Sequence, residues 1–370
     1  MIANLNLTDN ELIMPGDWMS IVQKIQSQDG TVMVLGKTDS GKTSFIKLLI
    51  HYLVRRNRKI GLIDVDIGQS TLGPPGTIGM CIVDKNRVED GIVPIDYMLF
   101  IGAISPEQCI AIFLEKIYQL YIITQKIKVD ALLIDTTGLV MGRIGVYLKN
   151  NLIKKVNPAI LVALQSDKEL EPILLEFEAQ PSIKIYRIKP YQNIIAKNWK
   201  ERKARRRRQF SIYFKDSQLR DIDFSAVEIK DFNFGFSLFL EKTMVSLYWK
   251  EFQLEIVSAE VINSRLFMIL SKPQSITNKD VFARIKKHFQ VKQIFVILPN
   301  WFQHLLVSFT NSEGLSNGLG IIKHIDFERK KITAYLPISI SLDNLAKIEL
   351  GRIRIIPDGS ALPPIEPERY

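Results

Sequence analysis

At 370 residues the chain is too long for one ordinary hydrophobic core, so two domains are expected, and 46% hydrophobic with 24% charged residues are globular proportions. A net charge of +10 favours a polyanionic partner such as nucleic acid. Cys81 and Cys109 are too few for a disulfide framework, the four histidines lack metal-ligand spacing, no apolar stretch approaches a membrane span, and Met1 to Asn10 carries no secretory pattern; a cytoplasmic protein with no membrane partner is expected.

The first predicted strand, Thr31 to Leu35, runs into Gly36-Lys37-Thr38-Asp39-Ser40-Gly41-Lys42-Thr43, which fits G-x-x-x-x-G-K-[ST]. Phe45, Leu48, Leu49, Tyr52 and Leu53 then recur at helical spacing. A phosphate chain needs several donors converging at once, and a glycine-rich turn opening a helix aims successive backbone N–H groups at it. The expected triphosphate site is Gly36 through Ser44, with Lys42 reaching the β- and γ-phosphates and the Thr43 hydroxyl on Mg²⁺. A chance match of a glycine-containing turn is the bland alternative, which the strand and helix flanks disfavour.

A second strand, Lys59 to Val65, ends in Asp64-Val65-Asp66-Ile67-Gly68-Gln69, followed by Pro74-Pro75-Gly76. Carboxylates at i and i+2 on an extended segment point the same way. Beside a metal-bound triphosphate, one can hold metal-bound water while the other takes a proton from an attacking hydroxyl; read alone, the pair is more simply a polar exit from a strand into a turn. Ala131 to Ile134 ends in Asp135-Thr136-Thr137-Gly138, where Asp135 holds the usual Walker B position and D-x-x-G also recurs in GTPases. With Ala159 to Leu164 and Ile183 to Ile188 as further strands, the alternation predicts an α/β P-loop NTPase: a mostly parallel, doubly wound sheet with ligands outside its strand carboxyl ends.

Lys197 to Arg208 carries eight Lys or Arg among twelve residues and reads as an exposed basic helix. Arg202 and Arg206, four apart, share a face. Beyond Phe214 the chain is predicted β-rich, with strands at His304 to Thr310, Gly320 to Ile325 and Ile332 to Ile338, turns at Asn311 to Gly318 and Glu328 to Lys331, and a loose tail from Leu362 to Tyr370. Gly314-Leu315-Ser316-Asn317-Gly318 satisfies the hydrolase elbow G-x-S-x-G, but β-like runs on both sides make it a hairpin loop. The expected division is an N-terminal segment over 1–28 packing on the P-loop domain, that P-loop domain over 29–214 including the basic run, and a β-rich domain over 215–370.

The D-x-D-x-G-Q…P-P-G block, the phosphate loop with Asp39 inside it, Thr136-Thr137-Gly138, Gly102-Ala103-Ile104-Ser105-Pro106 and the basic helix ending in Tyr213-Phe214 resemble the polynucleotide 5′-hydroxyl kinases. That family includes the RNA kinase subunit of the mRNA 3′-end cleavage factor, the kinase of ribosomal RNA processing, and shorter prokaryotic homologues, which this chain resembles more weakly at Gly318-Leu319-Gly320 and Ile325-Asp326-Phe327. The resemblance implies transfer of the γ-phosphate of ATP, or of another nucleoside triphosphate, to the 5′-hydroxyl end of RNA or DNA with Mg²⁺. Within it, Lys42 is catalytic, Thr43 and Asp64 face the metal, and Asp66 is the general base, with an exchange of the two aspartates open. Gln69 orders that site, Thr136, Thr137 and Gly138 form the clasp on the first substrate phosphate, and Arg202 and Arg206 are lid arginines. Members commonly carry Trp after the clasp glycine where this chain has Leu139, which cannot stack on a base. The large N-terminal β domain of eukaryotic members is expected to be absent.

Two other readings remain at this level. A regulatory GTPase shares the phosphate loop and Asp135-x-x-Gly138, although the nearest string to N-K-x-D is Asn278-Lys279-Asp280-Val281, with the wrong last residue. A nucleic-acid scaffold that holds ATP without turnover fits the charge equally, as does a plain surface patch for the basic run. Protein partners are not legible.

Overall fold

Residues 2–4, 16–88, 91–191, 198–231, 254–272 and 279–370 are described by a computed structural model, which divides into two units, Met1–Arg206 and Arg207–Tyr370. Residues 5–15 of the N-terminal segment, Lys197 of the basic run and Asn278 of the guanine-motif lookalike lie outside the described residues.

In the first unit the chain runs β1 (Ile2–Asn4), α1 (Gly16–Ile25), β2 (Gly30–Gly36), α2 (Lys42–Arg55), β3 (Ile60–Asp64), β4 (Thr77–Val83), β5 (Ile92–Pro94), β6 (Tyr97–Phe100), α3 (Ile110–Gln125), β7 (Ala131–Asp135), α4 (Gly142–Val156), β8 (Ile160–Leu164), α5 (Glu171–Leu174), β9 (Lys184–Ile188) and α6 (Trp199–Tyr213), inside which the division falls. A seven-stranded sheet has the order β6-β4-β3-β7-β2-β8-β9. Its five strands from β3 to β9 are parallel, and β4 and β6 add an antiparallel edge.

The inner four, β3, β7, β2 and β8, are almost wholly apolar because both sheet faces are covered there, whereas the edge strand β9 exposes Lys184 and Arg187. Val32, Val34, Leu62, Leu133 and Val162 point one way, into a core with Trp18, Val22 and Ile25 of α1 and Phe45, Leu48 and Leu49 of α2. On the opposite face a Cβ at Gly61 would stand 3.0 Å from the Thr124 side chain of α3, so glycine there leaves room that any larger residue would have to gain by shifting that side chain. No helix among the described residues is long and apolar enough to cross a membrane.

The second unit contains β10 (Ser217–Asp223), β11 (Glu228–Asp231), β12 (Ile256–Ile262), β13 (Arg265–Leu270), α7 (Lys279–Phe289), β14 (Gln293–Ile297), β15 (Leu305–Asn311), β16 (Ser316–Asp326), β17 (Lys331–Pro337), β18 (Leu345–Arg354) and β19 (Glu368–Arg369). Its two sheets run β10-β17-β16-β15-β18-β11 and β12-β13-β14-β19. Phe267, Ile269 and Phe295 of the smaller sheet share a core with Val307, Phe309 and Ile332 of the larger, while α7 covers the smaller sheet's other side with Phe282 and Ile285.

Two sequence expectations change here. The Leu362 to Tyr370 end is not loose: β19 pairs with β14, and the Tyr370 ring stacks on Phe282 at 3.7 Å between centroids. The β-rich region also holds α7, the crossover that lets β13 and β14 run parallel. Ser316 opens the second strand of the β15–β16 hairpin and meets Ser308 at 2.6 Å between hydroxyls, a hairpin setting as expected.

Candidate active site

Strand β2 delivers Gly36 to the carboxyl edge of the sheet, and α2 starts six residues later. Between them Asp39 and Gly41 take left-handed φ values of 59° and 96°. Glycine enters that region freely and aspartate is among the side chains that tolerate it, so the loop curls its N–H groups around a concavity at a helix start. Lys42 bridges the loop, its ammonium donating to the Lys37 carbonyl at 2.7 Å. Burial pulls that ammonium down, and Asp135, Asp66, Asp39 and Asp64 push it back up. Among the described residues the buried Ser40 hydroxyl has no hydrogen-bond partner.

Parallel pairing places Asp64 and Asp135 opposite each other at the ends of β3 and β7. Their environments then separate them. Asp64 Oδ2 accepts from the Thr71 amide at 2.6 Å and hydroxyl at 2.8 Å, and Oδ1 accepts the Asp66 amide at 2.9 Å, so this carboxylate staples the turn after β3. Asp135 Oδ2 accepts the Thr43 hydroxyl at 2.6 Å, while its buried Oδ1 has no partner among the described residues. Burial, then the neighbouring Asp64, hold Asp135 up to about 7; burial, then Asp66, raise Asp64 as well.

Asp66 Oδ1 accepts the amides of Gly68 at 3.1 Å and Gln69 at 3.0 Å, which fixes the carboxylate; Oδ2 takes no hydrogen bond among the described residues, and Asp66 lines a cleft with Thr38, Asp39, Lys42, Thr43 and Gln69. Helix α6 starts with a reciprocal cap: the Asn198 side chain accepts the Glu201 amide at 3.0 Å, and the Glu201 carboxylate accepts the Asn198 amide at 2.8 Å. One turn on, Arg202 donates to Asp39 at 2.7 Å. Arg205 lines the cleft, and burial together with Arg202 pulls the Arg206 guanidinium down while Asp66 opposes.

After β7 the Thr136 hydroxyl donates to the Val34 carbonyl at 2.7 Å. A Cβ on Gly138 would come within 2.5 Å of the Thr38 amide nitrogen, so glycine is what lets this loop lie against the phosphate loop. Lys149, reaching in from α4, donates to the Thr137 carbonyl at 2.7 Å and to its hydroxyl at 3.0 Å.

The family described as mRNA cleavage and polyadenylation factor CLP1 P-loop matches residues 36–216. A polyribonucleotide 5′-hydroxyl-kinase of Pyrococcus abyssi is 30% identical over 371 residues, spanning 98% of this chain and 98% of its own. The chain belongs to the polyribonucleotide 5′-hydroxyl-kinase family. A similarly named kinase of Methanocaldococcus jannaschii is 29% identical over 338 residues, 90% of this chain and 88% of that one. Among solved structures, the wild-type Clp1p–Pcf11p complex matches with a TM-score of 0.61 at 16% identity, over 90% of this chain and 77% of that one, a likeness of fold.

In this kinase-family member the phosphate loop, Asp66, Gln69 and Arg202 meet in one place. Sequence reading did not single out Ser70, Thr71, Lys47, Arg205 or Lys149. For Lys149 there was a usable signal, because it falls on the inward stripe of α4 that otherwise holds Gly145, Leu148, Leu152, Ile153 and Val156. A nucleoside triphosphate with a divalent cation fits these residues: the loop concavity and Lys42 suit phosphates, and one orphaned carboxylate oxygen beside a threonine hydroxyl suits Mg²⁺, which takes few protein ligands.

Proposed function

We propose that the chain transfers the γ-phosphate of ATP, or of another nucleoside triphosphate, to the 5′-hydroxyl end of RNA, with DNA ends as a second acceptor. The observation that carries this reading is the convergence, in one cleft, of a phosphate loop with Lys42, a carboxylate with an unspent oxygen at Asp66, and an arginine-bearing helix tied to the loop through Arg202 and Asp39.

Lys42 neutralises the β- and γ-phosphates, and the loop amides hold the chain that leaves as a diphosphate. Asp66 accepts the proton of the 5′-hydroxyl as its oxygen bonds to phosphorus and the bond to the leaving oxygen breaks, which is the general-base role. Thr137 and Gly138 grip the first phosphate of the acceptor, and Gln69 orders the Asp66 turn. Arg202 and Arg206 close over the transferring group, supplying positive charge and excluding water that would otherwise take the phosphate. Thr43 and Asp135 would hold Mg²⁺, with Asp64 bracing the strand end behind them; bound there, the ion would supply neutralisation of the phosphates' negative charge.

The test follows labelled γ-phosphate from ATP onto matched 5′-hydroxyl RNA and DNA oligonucleotides, with 5′-phosphorylated controls and Lys42→Ala in parallel. Label confined to 5′-hydroxyl ends and lost in Lys42→Ala supports the kinase. Tight nucleotide binding with no labelled oligonucleotide would replace it by a regulatory NTPase or a scaffold without turnover.

A further inference from the structure

Helix α4 buries Gly145, Leu148, Lys149, Leu152, Ile153 and Val156 against the sheet. Packing there asks for an apolar residue, yet Lys149 sits in it 1% exposed, and among the described residues it forms no ion pair. An isolated buried ammonium is costly, so something other than stability accounts for it. Both of its polar contacts are on one residue, Thr137: the carbonyl at 2.7 Å and the hydroxyl oxygen at 3.0 Å.

While Lys149 is an ammonium it only donates, so in that form the Thr137 hydroxyl accepts from it and points its own proton elsewhere. No acceptor for that proton exists among the described residues. The loop carrying it is also pinned from the far side, where Gly138 packs on Thr38 of the phosphate loop. Burial, and after it Lys42, pull the Lys149 ammonium down to about 7, and Asp66 and Asp135 act on it in the opposite sense, so the clasp and the phosphate site share one electrostatic neighbourhood.

We propose that Lys149 is a positioning residue for the nucleic-acid acceptor: it holds Thr137 so that the threonine's hydroxyl proton is presented to a phosphate of the 5′-terminal nucleotides. This rests on the kinase reading above, with Thr137 in the clasp.

The experiment measures kcat and KM for a 5′-hydroxyl oligoribonucleotide, nucleotide affinity and the thermal midpoint, for wild type, Lys149→Met, Thr137→Val and the double variant. Lys149→Met should raise the oligonucleotide KM about tenfold while kcat and nucleotide affinity move by less than about threefold, the scale of one charge-assisted hydrogen bond. Its thermal midpoint should stay level or rise, since methionine suits the apolar seat better than a charge does. The double variant should match Thr137→Val alone, because the lysine acts through the threonine. An unchanged KM in Lys149→Met, a fall in kcat and midpoint together, or multiplied effects in the double variant would each overturn the proposal while leaving the kinase intact. A wild-type protein that labels no 5′-hydroxyl end overturns the kinase reading and this one with it.

Discussion

Asp64 and Asp135 stand opposite each other at two strand ends, and what divides their labour is the set of donors around each. Asp64 is saturated by the turn at Ser70 and Thr71, whereas Asp135 keeps one oxygen unspent. In metal-free protein, Asp135 is raised to about 7 from a reference of 3.8, so its share of stability is full below about pH 4 and is lost as pH rises through about 7. Asp135→Asn should flatten that slope in chelator and raise the midpoint at pH 8, while lowering phosphoryl transfer by about 10²-fold or more, as measured by thermal melts and label transfer side by side. Asp66→Asn should cut kcat by roughly 10²–10⁴-fold with nucleotide affinity unchanged, and normal turnover would remove it as base. The motif residues could be found in the sequence because their spacing is local, from Gly36 to Thr43 and from Asp64 to Gln69. The division of roles between Asp64 and Asp135 could not, since it depends on which turn donates to which carboxylate. The stripe of α4 could flag Lys149 as buried, but its contact was hidden for a similar reason: Thr137 lies twelve positions away, across a loop.

At the level of elements, α6 depends on its first turn. The Asn198–Glu201 cap sets where the helix begins, and Arg202 is the next residue. Asn198→Ala should cost about 1 kcal/mol of local helix stability, speed amide exchange over residues 199–203, and lower kcat through the displaced Arg202. Exchange that stays at the wild-type rate would mean that the Asp39 tie alone fixes the helix. The four inner parallel strands were legible because burial on both faces makes each a short apolar run bounded by turn residues. The β19 strand was not, since two polar residues after a proline-rich segment carry no pattern of their own; Phe282 and β14 recruit them. Tyr370→Ala should lower stability by about 1 kcal/mol, the worth of an aromatic pair, visible as a shift in the denaturant midpoint of the full chain.

Over the whole molecule, a charge of +10 predicts salt-sensitive acceptor binding. Raising monovalent salt from about 50 to about 200 mM should raise the KM for an RNA oligonucleotide on the order of tenfold, as expected for about three phosphate contacts on a single strand, and the KM for ATP by much less. Equal responses would mean that the net charge plays no part in acceptor binding. Composition pointed to a polyanion but could not place it, because the basic residues after Phe214 are dispersed and only the run before it is dense. The two buried carboxylates at adjacent strand ends also bear on how long the protein survives in a cell. Their mutual repulsion is relieved by whatever places a cation beside Asp135, so a bound ligand of that kind stabilises the native state by an amount that grows with the logarithm of its free concentration. Where such a ligand is scarce, more of the chain would be open to chaperones and proteases, and abundance would fall along with catalysis.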